Sequence, residues 1–209
     1  MTGTTHADSL ALPDSVQSKG DFYDHVTETL GHLLAPASPP DGTSNLFTTA
    51  SNAASLLFGS FENYEAAWGR EAGRRVNWAG FYLHPSLLSR TSPTPLKETP
   101  STLILGPFHG RPACNSVSLK PTKTRPVGVC AASFLAGETV VVPDVEARPG
   151  HIACDGVTKS EIVVPVKVEG VVVGVLDVDC EGLGAFGEED RVGLEKFVEA
   201  FVKVVDWSL

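Results

Sequence analysis

Two hydrophobic rhythms divide this chain, one with a period near that of an α-helix and one with a period of two. Phe22, Val26, Leu30, Leu33 and Leu34 follow Asp21 or Gly20 at helical spacing and predict a short amphipathic helix. Leu46, Ala50, Ala53, Leu57 and Phe61 form one stripe of a second helix over Asn45 to Phe61, which Thr43 or Ser44 would cap. Helical spacing returns in Glu188 to Trp207, where Leu194, Phe197, Val198, Phe201 and Val205 share a face. Acids at Glu188, Glu189 and Asp190 complement the dipole of its first turn. Between these helices, Val76 to Leu83 and Thr102 to Phe108 are rich in aromatic and branched residues and read as paired strands. The polar, Pro-rich excursion that joins them, Leu88 to Ser101, is expected to be mobile.

Ile162 to Val168 and Val171 to Cys180 predict the clearest strand pair, and the length of their loop decides which side chains meet. A two-residue loop, Glu169-Gly170, puts Glu161 opposite Val178 and on the other side of the sheet from Asp177. A three-residue loop, Val168 to Gly170, pairs Lys167 with Val171 and sets Glu161 across from Asp177. The longer loop is preferred because it gathers Ile162, Val164, Val166, Leu176 and Val178 on one apolar face. Glu161, Asp177 and Asp179 then share the other, whereas scattering three acids over both faces would bury an unpaired carboxylate in the core.

This order of elements predicts an α+β fold: a largely antiparallel sheet with the N- and C-terminal helices packed on one face and a pocket under loops on the other. The roof of that pocket is expected in Lys120 to Thr158. Residues 1–20 are small, polar and aperiodic and read as a flexible tail, leaving a single domain over 21–209. The composition, 42% hydrophobic and 20% charged, is that of a soluble globular protein, and the chain has no apolar run long enough to span a bilayer. A net charge of -9 argues against nucleic acid as a partner. Met1 to Leu12 lack a secretory signal pattern, so the expected location is cytoplasmic, with the cysteines kept as thiols outside catalysis.

Candidate chemistry gathers on the polar side. Three acids crowded into one patch raise at least one carboxyl toward neutral pH, which suits a general acid or a site for an ammonium group; a solvent-facing strand end is the plainer reading. Cys154 lies in Gly150-His151-Ile152-Ala153-Cys154-Asp155-Gly156, a Gly-flanked polar loop where a reactive thiol belongs, although His151 could simply order that loop. Cys130 begins a short helix, Ala131 to Leu135, whose N-terminus would lower a thiol pKa. Cys114 also lies outside strongly apolar runs, while Cys180 shares a face with Leu176 and Val178 and reads as a core cysteine. A zinc site would recruit Cys114, Cys130, Cys154 and His151, but no Cys-x-x-Cys pair exists, so no metal is expected. Trp78 and Tyr82, four apart on a strand, either wall an apolar slot or belong to the core.

Several segments in combination resemble the free methionine-(R)-sulfoxide reductases, enzymes built on a single GAF domain. They are Asn77 to Tyr82, Leu105 to Cys114, Gly128-Val129-Cys130, Pro143-Asp144-Val145, Gly150 to Asp155, Ser160 to Pro165 and Gly174 to Asp179. The resemblance implies a six-stranded antiparallel sheet between helices. It makes Cys154, Cys130 and Cys114 the redox cysteines, Glu161, Asp177 and Asp179 the substrate-binding and acid residues, and Trp78 and Tyr82 the wall around the methyl sulfoxide. The implied activity is reduction of free L-methionine (R)-sulfoxide through a sulfenic acid and an intramolecular disulfide, with thioredoxin as reductant, no bound cofactor and often a homodimer. Cys154 is the expected nucleophile with Cys130 or Cys114 resolving, and attack by Cys130 is the alternative. The connection from Cys114 to Cys130, with Lys120 to Pro126, is longer than the family pattern, and Leu88 to Ser101 is a further insertion. A non-catalytic GAF sensor of a small molecule or of redox state is the rival reading, and a zinc-binding module is a third.

Overall fold

A computed structural model describes residues 10–34, 46–69, 72–89, 94–123, 126–149 and 156–207. Helices α1 (Lys19–Leu34), α2 (Leu46–Asn63) and the single turn α3 (Glu65–Trp68) precede strand β1 (Val76–Leu83). Then follow β2 (Thr102–Gly110), β3 (Ser116–Ser118), α4 (Val129–Ala136), β4 (Val140–Val142), β5 (Ser160–Val168), β6 (Val171–Cys180) and α5 (Glu188–Val204). The strands form one antiparallel sheet in the order β3-β2-β1-β6-β5-β4. No helix among the described residues is long and apolar enough to cross a membrane.

The sheet separates two cores. On one face, Phe22, Leu30, Leu57, Phe61, Phe197 and Phe201 from α1, α2 and α5 pack on Ala79, Phe81, Ile162, Val164, Leu176 and Val178, as the strand alternation predicts. Buried Asp190 locks α5 to α1: it accepts hydrogen bonds from Lys19 Nζ at 2.7 Å, Tyr23 Oη at 3.0 Å and the Gly187 amide at 2.7 Å. Such full pairing removes the cost of burying its charge. The packed chain also begins earlier than the expected boundary at residue 21, since Leu10, Leu12 and Val16 lie against this core. Part of the excursion expected to be mobile is likewise held: Leu88 and Leu96 pack on the same core, and His84 Nε2 hydrogen-bonds the Glu98 carbonyl at 3.0 Å.

The β5–β6 register corrects the sequence expectation. The turn is the two-residue Glu169-Gly170, both at positive φ (49° and 83°), with Val168 paired to Val171. A bulge then gives β6 one extra residue, Val173, because Lys167 pairs with Val172 while Val166 pairs with Gly174. That residue reverses the parity of the shorter loop, so the apolar set and the acidic set still fall on opposite faces. Glu161, however, stands across from Asp179, and Asp177 stands across from Val163.

Candidate active site

The second core contains Trp78, Tyr82, Leu103, Phe134, Val163 and Val175, covered by α4. Gly128 caps α4, so that Cys130, its second residue, points at the acidic strand face. Cys130 Sγ donates to Asp177 Oδ2 at 3.2 Å and lies 3.9 Å from Glu161 Oε1. Glu161 and Asp177 are each only 5% exposed and hydrogen-bond one another. A cavity of about 70 Å³ opens beside them, lined among others by Tyr82, Cys114, Ser116, Cys130, Thr158, Glu161, Asp177 and Asp179.

Burial, followed by the charges of Asp177 and Asp179, holds the Glu161 carboxyl well above the usual range, with Arg148 opposing in part. Burial pushes Asp177 up to about 7, against hydrogen bonds from Cys130, Glu161 and the Val178 amide that favour its ionised form. The pair therefore retains a proton near neutral pH. Asp177 Oδ1 is buried without a hydrogen-bond partner, which leaves an acceptor for a ligand.

Three comparisons place the chain among known proteins. Residues 77–205 match the GAF domain family. The free methionine-R-sulfoxide reductase of Saccharomyces cerevisiae is 36% identical over 97% of this chain and 95% of its own length. That of Escherichia coli is 32% identical over 90% of this chain and 91% of its own. The X-ray structure of free methionine-R-sulfoxide reductase from Neisseria meningitidis in complex with its substrate is 31% identical, with a TM-score of 0.69 over 93% of this chain and 94% of that one. The chain belongs to the free methionine-R-sulfoxide reductase family, on the GAF fold. In this family member, six of the eight residues singled out from the sequence, Cys114, Cys130, Glu161, Asp177, Asp179 and Tyr82, line one cavity, Cys114 among them despite its longer connection to Cys130. Cys154 and His151 lie outside the described residues.

Two expectations change. The thiol of Cys130 is not lowered by its helix: burial first, then Asp177, Glu161 and Asp179, push it well above its ordinary value. The local dipole loses to burial and to three nearby acids. Trp78 does not line the cavity; it is 2% exposed and stacks between Tyr82 and Phe108, with ring centroids at 5.8 and 5.5 Å. Tyr82 is the aromatic wall itself, fixed by its hydroxyl donating to the Cys114 carbonyl at 2.9 Å. Cys180 is fully buried in the helix-side core, as expected.

Sequence reasoning missed three contributors. Gly80 stands opposite Asp177 in the β1–β6 ladder, and a Cβ there would meet Phe108 Cβ at 2.3 Å, so only glycine lets β2 approach. Thr158 accepts from Asn77 Nδ2 at 2.9 Å and pins the roof to β1. Ser116 to Ser118 form the outer strand wall, for which the Ser-Val-Ser alternation was the one available signal. A groove of about 700 Å³ between α5 and β5 is ten times larger but contains no thiol or histidine. Its size does not mark the chemistry.

Proposed function

We propose that this chain reduces free L-methionine (R)-sulfoxide to L-methionine. The observation that carries the reading is a thiol and a proton-sharing carboxyl pair facing one small cavity. The named activity of the yeast and bacterial relatives supports it. The substrate ammonium sits against Asp179, with its S-methyl toward the Tyr82 side of the cavity. The proton held by Glu161 and Asp177 passes to the sulfoxide oxygen and makes the sulfur electrophilic.

A thiolate attacks that sulfur, methionine leaves, and the cysteine becomes a sulfenic acid. A second thiol condenses with it to a disulfide and releases water, so that one sulfoxide and two thiols give methionine, a disulfide and water. The raised thiol of Cys130 argues against it as the attacking group and favours Cys154, with Cys130 or Cys114 resolving. A thioredoxin-type dithiol returns the enzyme to its reduced state, in the cytoplasm and without a bound cofactor; a homodimer is the proposed assembly.

Thioredoxin-coupled consumption of reductant, with free methionine (R)-sulfoxide as sole oxidant, tests the reading. Turnover supports it, and its absence favours a non-catalytic GAF sensor. A blocked dipeptide containing methionine sulfoxide should be turned over negligibly, because its neutral amide nitrogen forfeits the charge pairing that the acids give a free ammonium. Comparable rates on both would overturn the pocket assignment.

A further inference from the structure

We infer that Cys130, Glu161 and Asp177 form a three-ligand site for a divalent cation of the zinc class, open on its cavity side. Their donor atoms all lie within 4.8 Å of one another on buried residues. The two sulfur–oxygen separations are 3.2 and 3.9 Å. A tetrahedral zinc ion, with sulfur at about 2.3 Å and carboxylate oxygen at about 2.0–2.2 Å, requires such edges to be roughly 3.5 Å. The observed separations bracket that value, so small rotations about the side chains bring all three donors onto one ion.

The donor set selects the metal. One thiolate with two carboxylates suits zinc or cobalt, whereas magnesium and calcium take six or more oxygens. A second observation is Asp177 Oδ1, on a residue 5% exposed that lines the cavity: it has no hydrogen-bond partner and offers an ion a further oxygen, while Oδ2 faces the Cys130 thiol. All three residues line the cavity, from which water would fill the fourth position. Charge balances as the ion enters: the Cys130 thiol proton and the proton shared by Glu161 and Asp177 leave, so the dication replaces two protons.

The inference does not depend on the reductase reading. It adds that the metal occupies the reduced protein on the same carboxylates that the proposed substrate uses, and therefore inhibits. Cobalt titration of the reduced full chain tests it, because thiolate coordination produces a sulfur-to-cobalt charge-transfer absorption that carboxylates alone do not.

The absorption should survive in the Cys114→Ser/Cys154→Ser double variant, which keeps Cys130, with affinity within about threefold of the parent. It should vanish in Cys130→Ser, and zinc binding there should weaken on the order of a hundredfold. Asp177→Asn should weaken binding to a similar degree, with far-ultraviolet circular dichroism reporting the fold. An absorption that persists in Cys130→Ser, disappears in the double variant or never forms in the parent overturns the site.

Discussion

Cys180 and Cys130 are both buried thiols, yet they lie on opposite faces of the sheet and in opposite company. Cys180 is enclosed by the aliphatic and aromatic side chains of the helix-side core. Burial pushes it up to about 11, and the Gly182 amide donating to its sulfur at 3.4 Å opposes that shift. Cys130 is buried against carboxylates, and burial together with Asp177, Glu161 and Asp179 raises it well above its ordinary value. Depth alone therefore does not distinguish a structural thiol from one placed for chemistry. The difference is whether a polar partner that can move a proton stands within reach.

The sharpest way to break this contrast is to remove the thiols one at a time. Cys154→Ser should lower methionine formation by at least about a thousandfold, as loss of a nucleophile does. Methionine release persisting in that variant during a single turnover would instead make Cys130 the attacking group. On the helix side the large effect belongs to stability: Phe201→Ala, which removes a ring stacked on Phe81 at 4.8 Å, should cost about 3–5 kcal/mol in denaturant unfolding. If it cost less than a conservative surface change, the helix-side core would not be the structural half of the molecule.

The acidic face should show itself in pH dependence. Asp177 has a folded value of about 7 against an ordinary 3.8, so the folded chain holds a proton that the unfolded chain has released between those values. Stability should accordingly fall as pH rises from about 4 to 7 and remain lower above it. Asp177→Asn should make that slope shallower and raise the melting temperature at pH 8 by several degrees, as thermal unfolding across a pH series would record. A slope unchanged by the substitution would mean that the carboxylate is not strained by burial. The smallest effect is expected for Cys180→Ala: about 1 kcal/mol of stability and turnover within threefold of the parent. A larger fall in activity would move Cys180 into the chemistry.

Long, strongly patterned segments were legible from sequence. Strands β1 and β6 have the predicted bounds because their branched and aromatic runs end at clear breaks, and the stripe of α5 packs as its spacing requires. The three-residue strands β3 and β4 were not, since so short a segment carries no period and becomes a strand only by pairing with β2 and β5.

The bulge at Val173 lies in Val171-Val172-Val173, where three identical residues hide any change of parity, so the face of the acids was readable while the partner of Glu161 was not. Cys130 shows the same limit in chemical form. Its helix N-terminus is written locally, but the burial that overrides it is a tertiary property, and the acids that add to it arrive from strands 31 and 47 residues away.

The central claim is that the buried carboxyl pair supplies the proton that lets a thiol attack a sulfoxide. Single-turnover methionine formation by the reduced chain, measured for the parent, Glu161→Gln and Asp177→Asn, tests it most directly. The account predicts one methionine formed and two thiols lost per chain in the parent, with both variants slower by about a hundredfold or more at unchanged secondary structure. Equal rates in all three proteins would contradict it.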